Sequence, residues 1–205
     1  MADTGYIYHE EAGGPDGPLV FLFHGTGGNE HQLTGLGRQL VPTAQIVSPR
    51  GDVSEGGALR FFRRTGEGVY DMADLARATT KMSAFVREKR MASGRSPVIG
   101  LGYSNGANIL ATTLIEAPEL WDVAVLMHPL IPFAPPQQPA LSGKRVLVTA
   151  GRRDPICPPE QTQALVTYLE EQGAAIEVFW HPGGHEVGPG ELEAVARFLG
   201  TEDAR

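Results

Sequence analysis

The chain has 205 residues, 41% of them hydrophobic and 20% charged, and a formal net charge of −7. That size and balance suit one globular domain spanning residues 1–205 and argue against a nucleic acid or an anionic membrane as its main partner. No run approaches the roughly 18 apolar residues of a membrane helix, no secretory signal opens the chain, and the single Cys157 excludes an internal disulfide or a zinc site built on two thiolates, so a cytoplasmic location is expected.

In chain order, an edge strand is expected at Tyr6 to Glu10 and an almost wholly apolar strand at Leu19–His24. His24-Gly25-Thr26-Gly27-Gly28 follows it. Glycines let a backbone come close to a substrate, and N–H groups in such a loop stabilise an oxygen that gains negative charge. A phosphate-binding loop is the alternative, but the lysine and the full spacing of such a loop are missing. His24 is expected to shape the loop and not to act as a base.

Helical spacing over Glu30–Leu40 leads to a strand at Gln45–Ser48. Gly51 to Tyr70 then resists assignment: it holds five glycines and the run Arg60-Phe61-Phe62-Arg63-Arg64. Because it follows a strand, it should lie at the carboxyl edge of a sheet, where open α/β sheets bind ligands. The arginines of this run, Arg60, Arg63 and Arg64, together with Arg50, are candidates to meet a carboxylate or other polar group on a substrate; the alternative is pairing with surface carboxylates such as Glu55 or Glu67. Phe61 and Phe62 either wall an acyl pocket or pack the loop down.

A helix is expected from Asp71 to Arg90, with Asp71 as N-cap and Met72, Leu75, Ala76, Thr79, Met82 and Val86 on one stripe. Pro97–Tyr103 reads as a strand and Asn105–Glu116 as a helix. Between them stands Gly102-Tyr103-Ser104-Asn105-Gly106, a pattern that puts a serine on a tight strand-to-helix turn with its hydroxyl at the sheet edge. Strands at Val123–His128, Arg145–Ala150 and Ile176–His181 and helices at Pro159–Gln172 and Pro189–Leu199 complete the alternation. Repeated strand-then-helix order implies a mostly parallel, doubly wound sheet. The proline-rich stretch Pro129 to Gly143 again follows a strand and should also reach the carboxyl edge.

A serine hydroxyl needs a base, and the base needs an orienting acid. In this architecture the chain order is serine, acid, histidine. Asp154 lies just past the strand Arg145–Ala150, and His185 lies past Ile176–His181, so both should reach the edge that carries Ser104. Asp154 as a turn-former and His185 as a solvated loop residue are the bland alternatives; their joint order and context favour a triad. His128 precedes the acid, His181 is expected to pack, and Cys157 is expected to be a buried structural thiol. Thr26 and Asn105 are the expected backbone donors to the oxyanion.

Several contiguous strings carry a family resemblance: His24 to Glu30, Ser48-Pro49-Arg50-Gly51, Arg60 to Arg64, Gly102 to Asn108, Asp154-Pro155-Ile156 and His181 to Glu186. They resemble the bacterial carboxylesterase branch of the phospholipase/carboxylesterase family, relatives of acyl-protein thioesterases and dienelactone hydrolases, over about Phe21 to Leu199. The resemblance implies an α/β-hydrolase fold without a large cap domain, the triad Ser104, Asp154 and His185, and oxyanion donors Thr26 and Asn105. It also implies frequent homodimers. Dienelactone hydrolases use a cysteine where this elbow carries Ser104, so their lactone substrate is not implied. The expected activity is hydrolysis of small or short-chain carboxylic esters, with thioesters included and no cofactor or metal needed. The rival readings are acyl transfer, a lysophospholipase or thioesterase activity, and a non-catalytic ligand-binding protein.

Overall fold

The computed structural model describes residues 5–66 and 68–200. Its elements run β1 (Tyr8–Glu11), β2 (Leu19–Phe23), α1 (Thr34–Leu40), β3 (Gln45–Pro49), β4 (Val53–Glu55), β5 (Ala58–Arg60), β6 (Arg64–Gly66), β7 (Val69–Tyr70), α2 (Met72–Ser93), β8 (Val98–Tyr103), α3 (Asn105–Glu116), β9 (Val123–Met127), β10 (Arg145–Gly151), α4 (Pro159–Glu171), β11 (Ala175–His181) and α5 (Pro189–Leu199). Seven strands form one sheet in the order β1-β3-β2-β8-β9-β10-β11. Only the β1–β3 pair of this sheet is antiparallel.

The apolar runs explain which strands lie at the centre. Every residue of β2 and β9 is buried, as strands covered on both faces require. One face packs against α2, α3 and α4, with Phe21, Phe23, Met82, Phe85, Ile109, Leu114, Trp121, Leu165 and Leu169 in one cluster. The other carries α1 and α5 over Val20, Leu22, Ile46, Val125, Val195 and Phe198. This is the α/β-hydrolase arrangement expected from the sequence.

The strand order also fixes where a site can form. After β2 the chain turns outward to β3, then crosses back through α2 to β8 on the other side of β2. Loops leaving the carboxyl ends of β2 and β8 therefore part in opposite directions and open a crevice between them.

Two details differ from the sequence expectations. The helix expected from Glu30 begins only at Thr34, because residues 29–33 form turns, with the Asn29 carboxamide accepting from the His31 N–H at 2.9 Å. The unassigned Gly51 to Tyr70 stretch is also more regular than expected, containing two small hairpins, β4–β5 and β6–β7. In the first, Glu55 faces Ala58 across Gly56-Gly57, whose φ values are 58° and 91°. Two positive φ values in a two-residue connection match the twist of a hairpin and favour glycine. Strands of three residues carry too little pattern to be legible in a sequence.

Candidate active site

The crevice holds Ser104, His185 and Asp154 together. His185 Nε2 lies 2.9 Å from Ser104 Oγ, and His185 Nδ1 lies 2.7 Å from Asp154 Oδ2. Each side chain arrives from a different strand end: Ser104 after β8, Asp154 after β10 and His185 after β11.

Ser104 sits on a sharp turn with φ 53° and ψ −118°, a left-handed conformation that a residue with a Cβ holds only under constraint. The turn is pinned on both sides: the Ser104 N–H donates to Met127 O at 2.9 Å, and its carbonyl accepts from the Asn108 N–H at 3.0 Å. The flanking glycines are required sterically. A Cβ at Gly102 would stand 2.5 Å from the Gly106 carbonyl oxygen, and one at Gly106 would strike the Phe23 carbonyl. The helix α3 thus begins pressed against β2.

Asp154 is almost fully buried, at 3% exposure. Its Oδ1 accepts from the N–H groups of Ile156 and Cys157 at 2.8 and 2.9 Å. Burial opposes its charge, but these bonds and those from His128 and His185 outweigh it and hold the carboxyl below the usual carboxylate range. The Tyr103 hydroxyl donates to the His185 carbonyl at 2.9 Å, and its ring lies beside the imidazole.

In front of Ser104 opens a cavity of about 370 Å³, lined by Thr26, Asn105, Arg60, Arg64, Asn108, Leu130 and Ile156 among others. The loop of Thr26 is clamped by the β4–β5 hairpin. The Gly27 N–H donates to Leu59 O at 2.9 Å, and Arg60 Nη1 donates to Thr26 Oγ1 at 2.8 Å. His24 is buried and holds the loop as expected. Its Nδ1–H donates to Gly25 O and its Nε2 accepts from the Gly51 N–H, which leaves the ring neutral; burial, the largest effect, lowers its pKa. Asn105 Oδ1 accepts from the Phe61 N–H at 2.8 Å, tying the start of α3 to the same segment.

Of the residues expected to contact substrate, Arg60 and Arg64 line this cavity. Phe61 and Phe62 are fully buried in the core, against Phe23 and Tyr70 respectively, so they pack the segment down and do not wall a pocket. Arg63 is corrected too: its side chain turns outward to Asp71 and Asp74. Arg64 pairs with Glu55 at 2.9 Å, Arg50 is held by Glu30, and Glu67 lies outside the described residues. Arg60, the first residue of the same run and also among the candidates, reaches the cavity because β5 directs it inward beside Thr26.

Asn108 escaped the sequence reading although it stands in the elbow string. Its Nδ2 donates to the Tyr70 hydroxyl and its Oδ1 accepts from the Leu130 N–H, both at 2.7 Å; the Tyr70 hydroxyl in turn donates to Leu130 O. One carboxamide therefore ties two walls of the cavity to α3. Asn108→Ala leaves the buried Leu130 N–H unpaired and removes a partner of Tyr70. It should lower unfolding free energy by about 2–3 kcal/mol in a denaturant titration.

His128 and His181 also belong to this region. His128 Nδ1 lies 2.9 Å from the same Asp154 oxygen that His185 engages, and the ring is remote from Ser104 in role because no bond joins them. His181 Nε2 lies 3.5 Å from His128 Nε2. The ligand atoms of His128, His181 and Glu191 fall within 4.8 Å of one another, as do those of His128, Asp154 and His185. Hydrogen bonding within the two groups accounts for both arrangements. Cys157 is buried, its thiol directed to His128 O at 3.2 Å, and burial pushes the thiol pKa up, away from a nucleophile's needs.

A family model described as the dienelactone hydrolase family matches residues 63–186. That span includes the elbow, the acid and the histidine. The chain belongs to the dienelactone hydrolase family. The chain is 41% identical over 190 residues to the hydrolase MhqD of Bacillus subtilis (strain 168), covering 92% of this chain and 94% of that one. Among solved structures, the protein Atu2452 of unknown function from Agrobacterium tumefaciens str. C58 is 57% identical, with a TM-score of 0.91 over 98% of each chain. The Bacillus cereus carboxylesterase is 34% identical, with a TM-score of 0.92 over 97% of this chain and 95% of that one. The dienelactone hydrolase family and the likeness to this carboxylesterase make the chain a hydrolase of that type. No described helix is long and apolar enough to cross a membrane.

Proposed function

We propose that this hydrolase is a serine carboxylesterase that acts on small or short-chain esters through an acyl-enzyme on Ser104. The observation that carries the reading is the unbroken hydrogen-bonded chain from Ser104 through His185 to Asp154 at the mouth of the 370 Å³ cavity.

In this reading Ser104 Oγ attacks the ester carbonyl as His185 Nε2 takes its proton. Asp154 holds the proton on Nδ1 and stabilises the imidazolium. The carbonyl oxygen becomes an oxyanion beside Thr26 and Asn105, whose backbone N–H groups are the proposed donors. His185 then gives its proton to the leaving alkoxide, and the ester C–O bond breaks. Water repeats the sequence: His185 removes its proton, the hydroxide oxygen attacks the acyl carbon, and Ser104 leaves with that proton. Thioesters fit the same steps with a thiol as leaving group.

The short-chain preference rests on the size of the cavity, and a charge preference on its arginines. Arg64 lines it while paired with the exposed Glu55, a partner that a substrate carboxylate can replace. A fluorophosphonate probe should label Ser104, and a panel of esters differing in acyl length and charge should peak at short chains. A probe that attaches elsewhere, or an optimum at long acyl chains, would refute the corresponding part of this reading.

A further inference from the structure

Asp154 has two histidine partners, and the chemistry proposed above uses only one. His128 follows β9, the strand beside β8, and its ring is fully buried. Its Nδ1 faces Asp154 Oδ2 at 2.9 Å and its Nε2 faces Glu191 Oε2 at 3.3 Å. Glu191 is itself buried, in the first turn of α5, with its other oxygen accepting from the Thr149 hydroxyl. One imidazole thus stands between two carboxylates, away from water.

Only a doubly protonated ring can donate to both. A neutral ring would turn a lone pair toward one carboxylate in a site where an uncompensated charge is expensive. Burial alone opposes the imidazolium, but Glu191 and Asp154 outweigh it and raise His128 above the ordinary histidine range. The backbone supports the placement: His128 has φ 52°, and its N–H donates to Thr149 O at 2.8 Å. The remaining titratable neighbours are His181, whose Nε2 lies 3.7 Å from Glu191, His185 with its ring 5.1 Å away, Tyr103 at 6.0 Å, and the Cys157 thiol on the His128 carbonyl. Among these, His181 Nδ1 accepts from the Gly183 N–H at 3.1 Å, and its Nε2 stands 3.5 Å from His128 Nε2.

We propose that His128 is a positioning residue of the hydrolase site: a buried imidazolium that bridges Asp154 and Glu191, fixes the Asp154 carboxylate, and takes up part of the negative charge otherwise presented to His185. This rests on the Ser104–His185–Asp154 reading and adds a fourth and a fifth member, His128 and Glu191, to its support. If the cation is removed, a protonated His185 is held more strongly by Asp154 and the base is withdrawn at low pH.

His128→Asn in the full-length protein is the test. Asparagine tolerates a left-handed backbone and keeps an N–H for Asp154, but carries no charge. A fluorophosphonate should still label Ser104, while the acidic limb of kcat/KM for a chromogenic acetate ester moves up by roughly one pH unit. An unmoved limb in a variant that still labels overturns the role of His128 and leaves the esterase reading standing. Ester turnover that survives Ser104→Ala overturns both. Nitrogen NMR of the unaltered protein gives a second, independent measure: imidazolium shifts at both His128 ring nitrogens near about pH 7.5 support the bridge, and a neutral ring there overturns it.

Discussion

Ser104→Ala is expected to lower kcat for ester hydrolysis by roughly 10⁴–10⁶-fold, with residual turnover from the oxyanion donors and binding alone. The loss should be almost purely chemical. The Ser104 side chain engages His185, whereas the turn is held by its backbone bonds to Met127 and Asn108. Alanine keeps the Cβ and hence the same constraint at φ 53°. Ser104→Gly would remove that Cβ from a conformation costing about 1–2 kcal/mol and should therefore raise the melting temperature while being equally inactive. Steady-state kinetics and thermal unfolding of the pair separate the two effects. A fully active alanine variant would remove Ser104 from the chemistry.

Asp154→Asn is expected to cost about 10³–10⁴-fold in kcat by a different route. The N–H groups of Ile156 and Cys157 both point at Oδ1, so the amide oxygen must take that place. The amide NH₂ then faces His185 Nδ1, which has to accept and therefore carries its proton on Nε2, toward Ser104. In that tautomer it cannot receive the serine proton. The same NH₂ confronts His128, so stability falls as well. The sign of its pH dependence follows from the lowered Asp154 pKa: the carboxylate's contribution is complete above the ordinary carboxylate value and is lost as pH falls through the lowered one. Wild type and Asp154→Asn should thus differ most in melting temperature near neutral pH and converge in strong acid. A constant gap down to about pH 2 would contradict this account of Asp154.

The alternation of apolar runs with helical spacing made the doubly wound sheet legible, because strands covered on both faces have to be apolar throughout. The positions of Ser104, Asp154 and His185 were legible for a related reason. A serine, an aspartate and a histidine each follow a strand, and a parallel sheet delivers all such ends to one edge. The Gly51 to Tyr70 segment was opaque. Its hairpins are held by cross-chain bonds such as Phe61 N–H to Asn105 and Arg60 to Thr26, which have no counterpart in local periodicity. Arg60 and Arg63 are of one residue type and three positions apart; only the clamp on Thr26 and the pairing with Asp71 and Asp74 divide them between cavity and surface.

Glu191 gives the same lesson. In sequence it is an acidic residue in the first turn of a helix, where solvated carboxylates are common, and His128 precedes the acid in the chain. The amino-acid order alone determined the layers of the fold and the three residues at its carboxyl edge, since hydrophobic pattern and strand-end chemistry are local properties. Folding decided what faces them. The partners of Asp154, the walls of the cavity and the charge around the histidines depend on segments tens of residues apart meeting in a dry interior, where burial makes each unpaired polar group costly and so selects contacts that no local pattern records.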